Sequence, residues 1–532
     1  MTPPQTITTI RPSARSIEQV LTSRWARLLI PSLSDLFFLA ILVWLFLSSG
    51  SAGWQGLLAD ADAGWHIRTG QYILAHHAVP HVDLYSFSKA GQPWYAWEWG
   101  SDVFYGLLHR IAGLKGVVLA AGVLISIFAT TLVRRMIWRG VHVMVALAVA
   151  LLSVGSASIH FLARPHVFTL LLLSISMWMI ESDRERPSAR IWWLVPLTVV
   201  WTNLHGGFLV LIAVLGLAAL GTAVEAWIAH EEWGGLWWRS AVRYAELAAA
   251  CAVASLVNPY GWQLHIHVVE YLRSDWIKTV VQEFQSPTFR NENMMQFEGL
   301  LLVGLIAAGA LLRRRRVVEA LWILFFAHMA LSSVRHVPIY VTVVGPVIAF
   351  EIASWWKTAT ASAPRKSLRL ILNQMAADAA PGFRRTSIWP LAVVFSLTVM
   401  GAPIPWPQDF PDVLFPTKLV HDHADQILNK RVLTTDQWGD YLIFLNPQQK
   451  VLVDGRSDFY GPETGNQYIR LVNGGADWKE LLQKFKFDSA LLPDELAVVQ
   501  LLKTQRDWKV VEDDGKRIFL VHETAPVLST GK

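Results

Sequence analysis

Long apolar runs recur through the first four hundred residues, and no other feature constrains the fold as strongly. They lie at residues 29–49, 115–132, 142–158, 167–181, 191–202, 207–228, 244–257, 297–312, 317–332, 337–354 and 388–402. A helix that crosses a bilayer needs roughly 20 mostly apolar residues, and the shorter runs can extend by a turn into their flanks. The expectation is a polytopic α-helical membrane protein with about eleven spans. Composition agrees, since 53% of residues are hydrophobic and only 16% charged, too apolar a balance for a soluble chain. Many of the 26 Trp residues stand at the ends of apolar runs, where indole suits the headgroup layer. The net charge of +5 gives no reason to expect nucleic acid, because the basic residues are distributed between the runs. Cys251 is the single cysteine, which excludes an intrachain disulfide and a Cys-based metal site. Residues 1–27 are polar, so no cleavable signal peptide is expected.

Charge gives the orientation. If the N-terminus, with Arg11, Arg15, Arg24 and Arg27, is cytoplasmic, strict alternation puts every strongly basic cluster inside. These are Arg134/Arg135/Arg139, Arg184/Arg186/Arg190, Arg239/Arg243, the run 313–316, and Lys357/Arg365/Lys366/Arg369/Arg384/Arg385. The expected divisions are a cytoplasmic segment 1–28, a transmembrane domain 29–403 with a structured outer loop 51–113, and an extracytoplasmic domain 404–532. After Pro403 the apolar runs shrink to strand length at 432–433, 451–453, 490–492 and 518–521, alternating with amphipathic helix candidates at 478–485 and 495–503. That alternation predicts a small α/β domain.

The outer face collects polar groups from distant parts of the chain. Asp60-Ala61-Asp62-Ala63-Gly64-Trp65-His66-Ile67-Arg68-Thr69-Gly70 opens the first outer loop. Carboxylates can take a proton or hold a divalent cation, while Arg and protonated His neutralise phosphate, so the mixture suits chemistry on a phosphate-linked substrate. A D-x-D pair also reads as a helix cap, here Asp62 before a short helix 63–76, with Asp60 a solvated loop acid. Segment 94–110 reads as an interfacial helix feeding the second span. In it Glu98 stands between Trp97 and Trp99, where desolvation would raise its pKa and suit it to proton transfer or metal binding; otherwise it reaches water from an amphipathic helix. Asp83 and Asp102 read as structural. Arg164-Pro165-His166 and Arg335-His336 sit at outer span ends, able to hold a phosphate or to snorkel. Asn203-Leu204-His205-Gly206-Gly207 is a tight turn whose His205 can face a substrate, and Asn258-Pro259-Tyr260-Gly261 ends a helix. Asp454-Gly455-Arg456-Ser457-Asp458 follows the expected strand 451–453, where α/β sheets bind ligands or simply turn.

Together, D-x-D-x-x-W-H-I-R-T-G, P-W-x-x-x-E-W, A-R-P-H, W-x-N-L-H-G-G-F and N-P-Y-G resemble bacterial membrane glycosyltransferases of the GT-C superfamily. The likeness is nearest to members related to protein mannosyltransferases and lipopolysaccharide-core sugar transferases. It covers roughly residues 29–350 and, through V-D-G-R-S-D-F-Y-G, the C-terminal domain. The resemblance implies a multi-span fold in the bacterial inner membrane, a polyprenyl-phosphate sugar donor and a saccharide, lipid or protein acceptor. It matches Asp60 and Asp62 to an acidic catalytic motif in the first outer loop. In the mechanism expected from it, Asp62 or Asp60 accepts the acceptor's proton, and Arg164, Arg335 and His336 stabilise the departing lipid phosphate. Glu98 and His66 orient the acceptor or an optional divalent cation, Mg or Mn, on Asp60 and Asp62. Arg68, His166 and His205 complete the expected substrate contacts. A transporter or flippase of a lipid-linked saccharide, or a non-enzymatic envelope assembly protein, are the alternatives in other classes.

Overall fold

The computed structural model describes residues 24–47, 53–361, 364, 367–399 and 406–523. Arg11, Arg15, Arg365 and Lys366 lie outside the described residues. The apolar runs are helical. In chain order the helices used below are α1 (Leu33–Leu47), α2 (Asp62–His76), α3 (Trp99–Trp138), α4 (Val143–Ala157), α5 (His166–Glu185), α6 (Leu194–Leu204), α7 (Phe208–Ile228) and α8 (Leu236–Ala254). They continue with α9 (Trp262–Arg273), α10 (Glu292–Arg313), α11 (Val317–Ser332), α12 (Val337–Thr360), α13 (Leu368–Phe383) and α14 (Trp389–Val399). Among the described residues, five helices suffice by length and composition to cross a membrane: Trp99–Trp138, Val143–His160, Phe208–Ile228, Glu292–Arg313 and Val334–Thr360. Three shorter apolar helices, Leu33–Phe46, Val317–Ser332 and Trp389–Val399, fall on further expected spans. The remaining expected spans, 167–181, 191–202 and 244–257, fall on α5, α6 and α8, of which α5 and α8 carry charged turns and α6 is short.

The helices share one apolar core, in which Phe128, Trp201, Trp322 and Tyr340 are fully buried. One polar knot crosses it. Pro346 inside α12 cannot donate to the carbonyl of Thr342 four residues earlier. Nη1 of Arg135 donates to that carbonyl at 2.8 Å, while Nε and Nη2 grip the two carboxylate oxygens of Glu181 at 2.6 and 2.8 Å. Arg135 was expected in an inner loop; it lies instead within α3, 0% exposed, because its long side chain meets the carbonyl that proline frees. Other basic residues of this side also pair with acids: Arg243 with Asp183 at 2.9 Å and Arg314 with Glu351 at 2.9 Å. Glu225 accepts from the backbone N–H groups of Val317 and Val318, satisfying the free first turn of α11.

The first outer loop and the C-terminal region form one layer. Helix α2 starts at Asp62 itself, and the carboxylate that accepts the Asp62 N–H, at 2.9 Å, belongs to Asp60. This corrects the expected cap: Asp60 closes the turn, which leaves the Asp62 side chain free to face elsewhere. Helix α3 kinks at Gly113 (φ 62°), dividing its amphipathic outer turns from its apolar length. The C-terminal sheet has four strands, β1 (Val432–Leu433), β2 (Ser489–Pro493), β3 (Trp508–Asp513) and β4 (Arg517–His522), in the order β1-β2-β4-β3, with β1 parallel to β2 and the other pairs antiparallel. Run 451–453, expected in this sheet, pairs with the outer loop instead: the Val451 N–H donates to the Tyr85 carbonyl at 2.9 Å and the Phe87 N–H to the Val451 carbonyl at 3.0 Å. Among the helices of this region are α15 (Asp436–Leu445) and α16 (Ser457–Val472), and the amphipathic candidates at 478–485 and 495–503 are helical over Trp478–Phe485 and Ala497–Lys503. Trp65, Tyr85 and Trp94 of the outer loop lie in the same apolar cluster as Leu433, Ile443, Leu492 and Ile518. Arg456 ties the two parts, paired with Asp83 at 2.8 Å and Asp454 at 2.6 Å while its guanidinium packs over Trp94 at 4.5 Å.

Candidate active site

A polar cavity lies where this outer layer meets the helices. Its walls come from Asp62, Trp94–Glu98, Arg164, His205, Glu283, Arg335 and the C-terminal loop at Gly455, Arg456 and Asp458. The elements are pinned before the side chains meet. The Ala163 N–H donates to the Leu57 carbonyl at 2.7 Å and the Tyr105 hydroxyl to the Arg164 carbonyl at 3.2 Å, which sets the short turn that carries Arg164. Gly455 comes so close to the first loop that a Cβ there would lie 1.9 Å from Asp62 Oδ1 and 2.9 Å from Asp440 Oδ2. Only glycine lets the C-terminal loop close over those acids.

Arg164 is the hub of the acidic side. Nη1 reaches Asp60 Oδ2 at 2.5 Å and Glu283 Oε1 at 3.5 Å, and Nη2 reaches Asp62 Oδ2 at 2.6 Å. Burial pushes the Asp62 carboxyl up to about 8 against the pull of Arg164, and the charge of Asp60 adds to the rise. Asp440 of α15, fully buried beside Asp62, is raised by burial and then by Asp62 itself. Two such carboxyls cannot both ionise, so the pair retains a proton near neutrality. For Glu283 burial works upward, but Arg164 and its cationic neighbours outweigh it and hold the carboxyl down to about 2.

A second chain of contacts runs through Glu98. His66 Nδ1 is 2.5 Å from Asp102 Oδ1, and its Nε2 faces Glu98 Oε2 at 3.7 Å. On the other side His205 Nε2 faces Glu98 Oε1 at 3.5 Å. The Trp201 indole N–H donates to the Thr169 hydroxyl, and the Gly207 N–H donates to His205 Nδ1 at 3.0 Å. Thr169 in turn lies 2.8 Å from the same Nδ1. These donors make Nδ1 an acceptor and put the ring proton on Nε2, toward Glu98. Burial, with Arg335 and Arg164 nearby, lowers His205 to about 3, and burial with Arg164 takes His66 well below its usual value. Both rings are therefore neutral, and burial raises Glu98 to about 8, so it keeps its proton at pH 7.

Beyond Glu98 the polar cavity joins an apolar chamber walled by α5, α7, α9, α11 and α12. Glu98, His160, His166, His205, Tyr271 and Arg335 line both. Arg335 is held at this neck by the Tyr271 hydroxyl at 3.2 Å and by packing over the Phe284 ring at 4.4 Å, with no carboxylate paired to it among the described residues. His336 lines only the apolar chamber. His166 lines both but spends Nε2 on the His160 carbonyl at 2.5 Å.

The sequence-derived residues thus divide. Asp62, Glu98, Arg164, His166, His205 and Arg335 line the cavity, while Asp60 and His66 stand one contact behind it. Arg68 is not brought to it: its guanidinium donates to the Phe444 carbonyl and to Gln71, fastening α2 to α15. Asp440, His160 and Tyr271 belong to no motif singled out in the sequence, and Asp102, expected to be structural, lines the cavity. Asp440 carried a usable sign, a carboxylate within an otherwise apolar helical run, Trp438 to Phe444, all of it buried. The residues do not fit the optional Mg or Mn on Asp60 and Asp62. Among the described residues no three His, Cys, Asp or Glu are grouped to hold an ion, and the Arg164 guanidinium already stands between the two carboxylates.

No family model matches the chain, and no curated protein sequence does. Solved structures do. The apo crystal structure of the Archaeoglobus fulgidus oligosaccharyltransferase aligns with a TM-score of 0.48 at 12% identity, over 86% of this chain and 69% of that one. The archaeal oligosaccharyltransferase AglB from Archaeoglobus fulgidus, in complex with an inhibitory peptide and a dolichol-phosphate, aligns with a TM-score of 0.51 at 12% identity, over the same shares of each chain. At that identity the likeness is one of fold: this chain shares the fold of the AglB structure, and its long apolar helices are of a length and composition sufficient to cross a membrane.

Proposed function

We propose that this protein is a membrane glycosyltransferase that moves a sugar from a polyprenyl-phosphate donor to an acceptor hydroxyl on the outer face of the bacterial inner membrane. The N-terminus is cytoplasmic, and region 404–532 is periplasmic and covers the site. The observation that carries this reading is the meeting of an apolar chamber with an acid-lined polar cavity at Arg335. That shape suits a ligand with an apolar tail, an anionic joint and a polar head. The fold shared with AglB, whose structure contains a dolichol-phosphate, supports it.

In this reading the prenyl tail lies in the apolar chamber and the phosphate meets Arg335, whose planar fork suits a phosphate. The sugar occupies the polar cavity. Asp62 in its ionised form takes the acceptor proton as the acceptor oxygen bonds to the anomeric carbon. The bond from that carbon to the phosphate oxygen breaks, and Arg335 stabilises the charge left on the phosphate. Glu98, protonated and flanked by two neutral histidines, can donate a hydrogen bond to a sugar oxygen and orient it.

The test is transfer in proteoliposomes from a panel of radiolabelled polyprenyl-phosphate sugars, wild type against Asp62→Asn. Loss of a proton acceptor should slow transfer about 10²–10⁴-fold. Asp60→Asn should act mainly through the turn it closes, at about 1 kcal/mol of stability. Lipid translocation without glycosidic product would instead identify a flippase, and full activity in both variants would remove the acidic motif from the mechanism.

A further inference from the structure

The acidic motif of the first loop is already neutralised from within the chain. Asp60, Asp62 and Glu283 come from two separate outer segments and meet on one guanidinium, with each Nη atom of Arg164 on a different aspartate. The backbone of Arg164 is anchored by Tyr105, and Ala163 beside it by Leu57. A hard divalent ion would need the same oxygens, at about 2.0–2.6 Å and in greater number. It would have to displace a tethered cation that the surrounding carboxylates hold in place.

We propose that Arg164 is the resident cation of this site: it occupies the position between Asp60 and Asp62 that a divalent ion would otherwise take, so the protein needs no added metal. The inference deepens the glycosyltransferase reading and rests on its assignment of these acids to the reaction. The guanidinium holds the two carboxylates apart at a set spacing and offsets their repulsion, as an ion would. Unlike an ion, it cannot be lost to a chelator and presents no open coordination position. Arg164 is accordingly a positioning residue for Asp62, and Arg335 remains the cation free to meet the donor.

The consequence is measurable without turnover. Mn²⁺ binding is followed by electron paramagnetic resonance on the full-length protein in detergent, for wild type, Arg164→Ala, Arg164→Lys and the double variant Arg164→Ala with Asp60→Asn. Wild type and Arg164→Lys should bind no ion at the site. Arg164→Ala should gain a site about tenfold or more tighter than any background, because carboxylate oxygens are freed for the metal, and the double variant should lose it. Thermal unfolding of each variant controls for folding. In parallel, wild-type transfer should be unchanged in excess chelator. A stoichiometric Mn²⁺ site in the wild type, or transfer abolished by chelator and restored by Mn²⁺, would overturn the proposal even if Arg164→Ala fails to fold. Gain of the Mn²⁺ site in a protein that transfers no sugar would uphold it while removing the transferase reading.

Discussion

Glu98 owes its protonation to its setting. Buried between His66 and His205, it is raised from 4.5 to about 8. Below about pH 4.5 the carboxyl is neutral in both folded and unfolded chains. Between about 4.5 and about 8 the unfolded chain has released this proton and the folded one has not, so stability falls as pH rises through that window and then levels. Replacing Glu98 with Gln removes this ionisation, and the melting temperature of Glu98→Gln in detergent should decline less from about pH 5 to about pH 8 than that of the wild type. Coincident slopes would place the retained proton elsewhere. At the neck, Arg335→Ala should weaken donor binding and slow transfer about 10²–10³-fold, as for loss of one preorganised charge stabiliser. Arg335→Lys should recover part of this only, since an ammonium cannot make the planar two-point contact. Full recovery by Lys would mean that charge and reach are all that matter, as for a snorkelling side chain.

Among the elements, α3, α5 and α12 are joined chiefly by Arg135, with Arg139 just beyond α3 pairing with the same Glu181 at 3.0 Å and packing over Phe350 of α12. Arg135 satisfies the Thr342 carbonyl that Pro346 leaves without a donor and neutralises Glu181 in the same buried volume. Arg135→Met should destabilise the protein by up to about 3–5 kcal/mol, because it strands the Thr342 carbonyl and leaves buried Glu181 with Arg139 as its one remaining cation among the described residues. Adding Glu181→Gln should return part of the loss, because Arg139 alone offsets the buried charge of Glu181 only in part, and unfolding midpoints in detergent will show it. Equal midpoints for the single and double variants would mean that Arg139 is enough to neutralise Glu181. The pairing of run 451–453 with the outer loop has a similar cause. Its hydrogen-bonding edge is paired with Tyr85 and Phe87, and the described sheet is made of β1 to β4. Alternation of apolar residues identifies such a run as extended but does not say which edge it joins.

At the scale of the whole molecule, the first outer loop and the C-terminal region depend on each other. They share an apolar cluster, and Arg456 links Asp83 of one to Asp454 of the other with almost no exposure. Arg456→Met should leave two buried carboxylates unpaired, at about 3–5 kcal/mol. Amide hydrogen exchange should then quicken together at residues 82–96 and across β2 and β4. Faster exchange on one side only would show that the two parts hold their structure separately. A joint loss would also open the cavity, because Gly455, Arg456 and Asp458 line it from the C-terminal side.

Positions of the helices, the strand-length runs of the C-terminal sheet and the polar clusters that the fold gathers at one cavity were legible in the sequence. Each rests on local composition and period, which act over a few turns of chain. Asp62, Glu98, Arg164 and Arg335 could be marked as candidates for the same reason, as charged groups at the ends of apolar runs. Their division of labour could not. That Arg164 is consumed by Asp60, Asp62 and Glu283, that Arg335 has no paired carboxylate among the described residues, that Arg68 fastens α2 to α15, and that Asp440 stands beside Asp62 all depend on contacts across tens to hundreds of residues. An isolated motif does not reveal which opposite charge arrives first at a buried carboxylate. Only packing brings the partners together, and burial then sets the strength of their interaction.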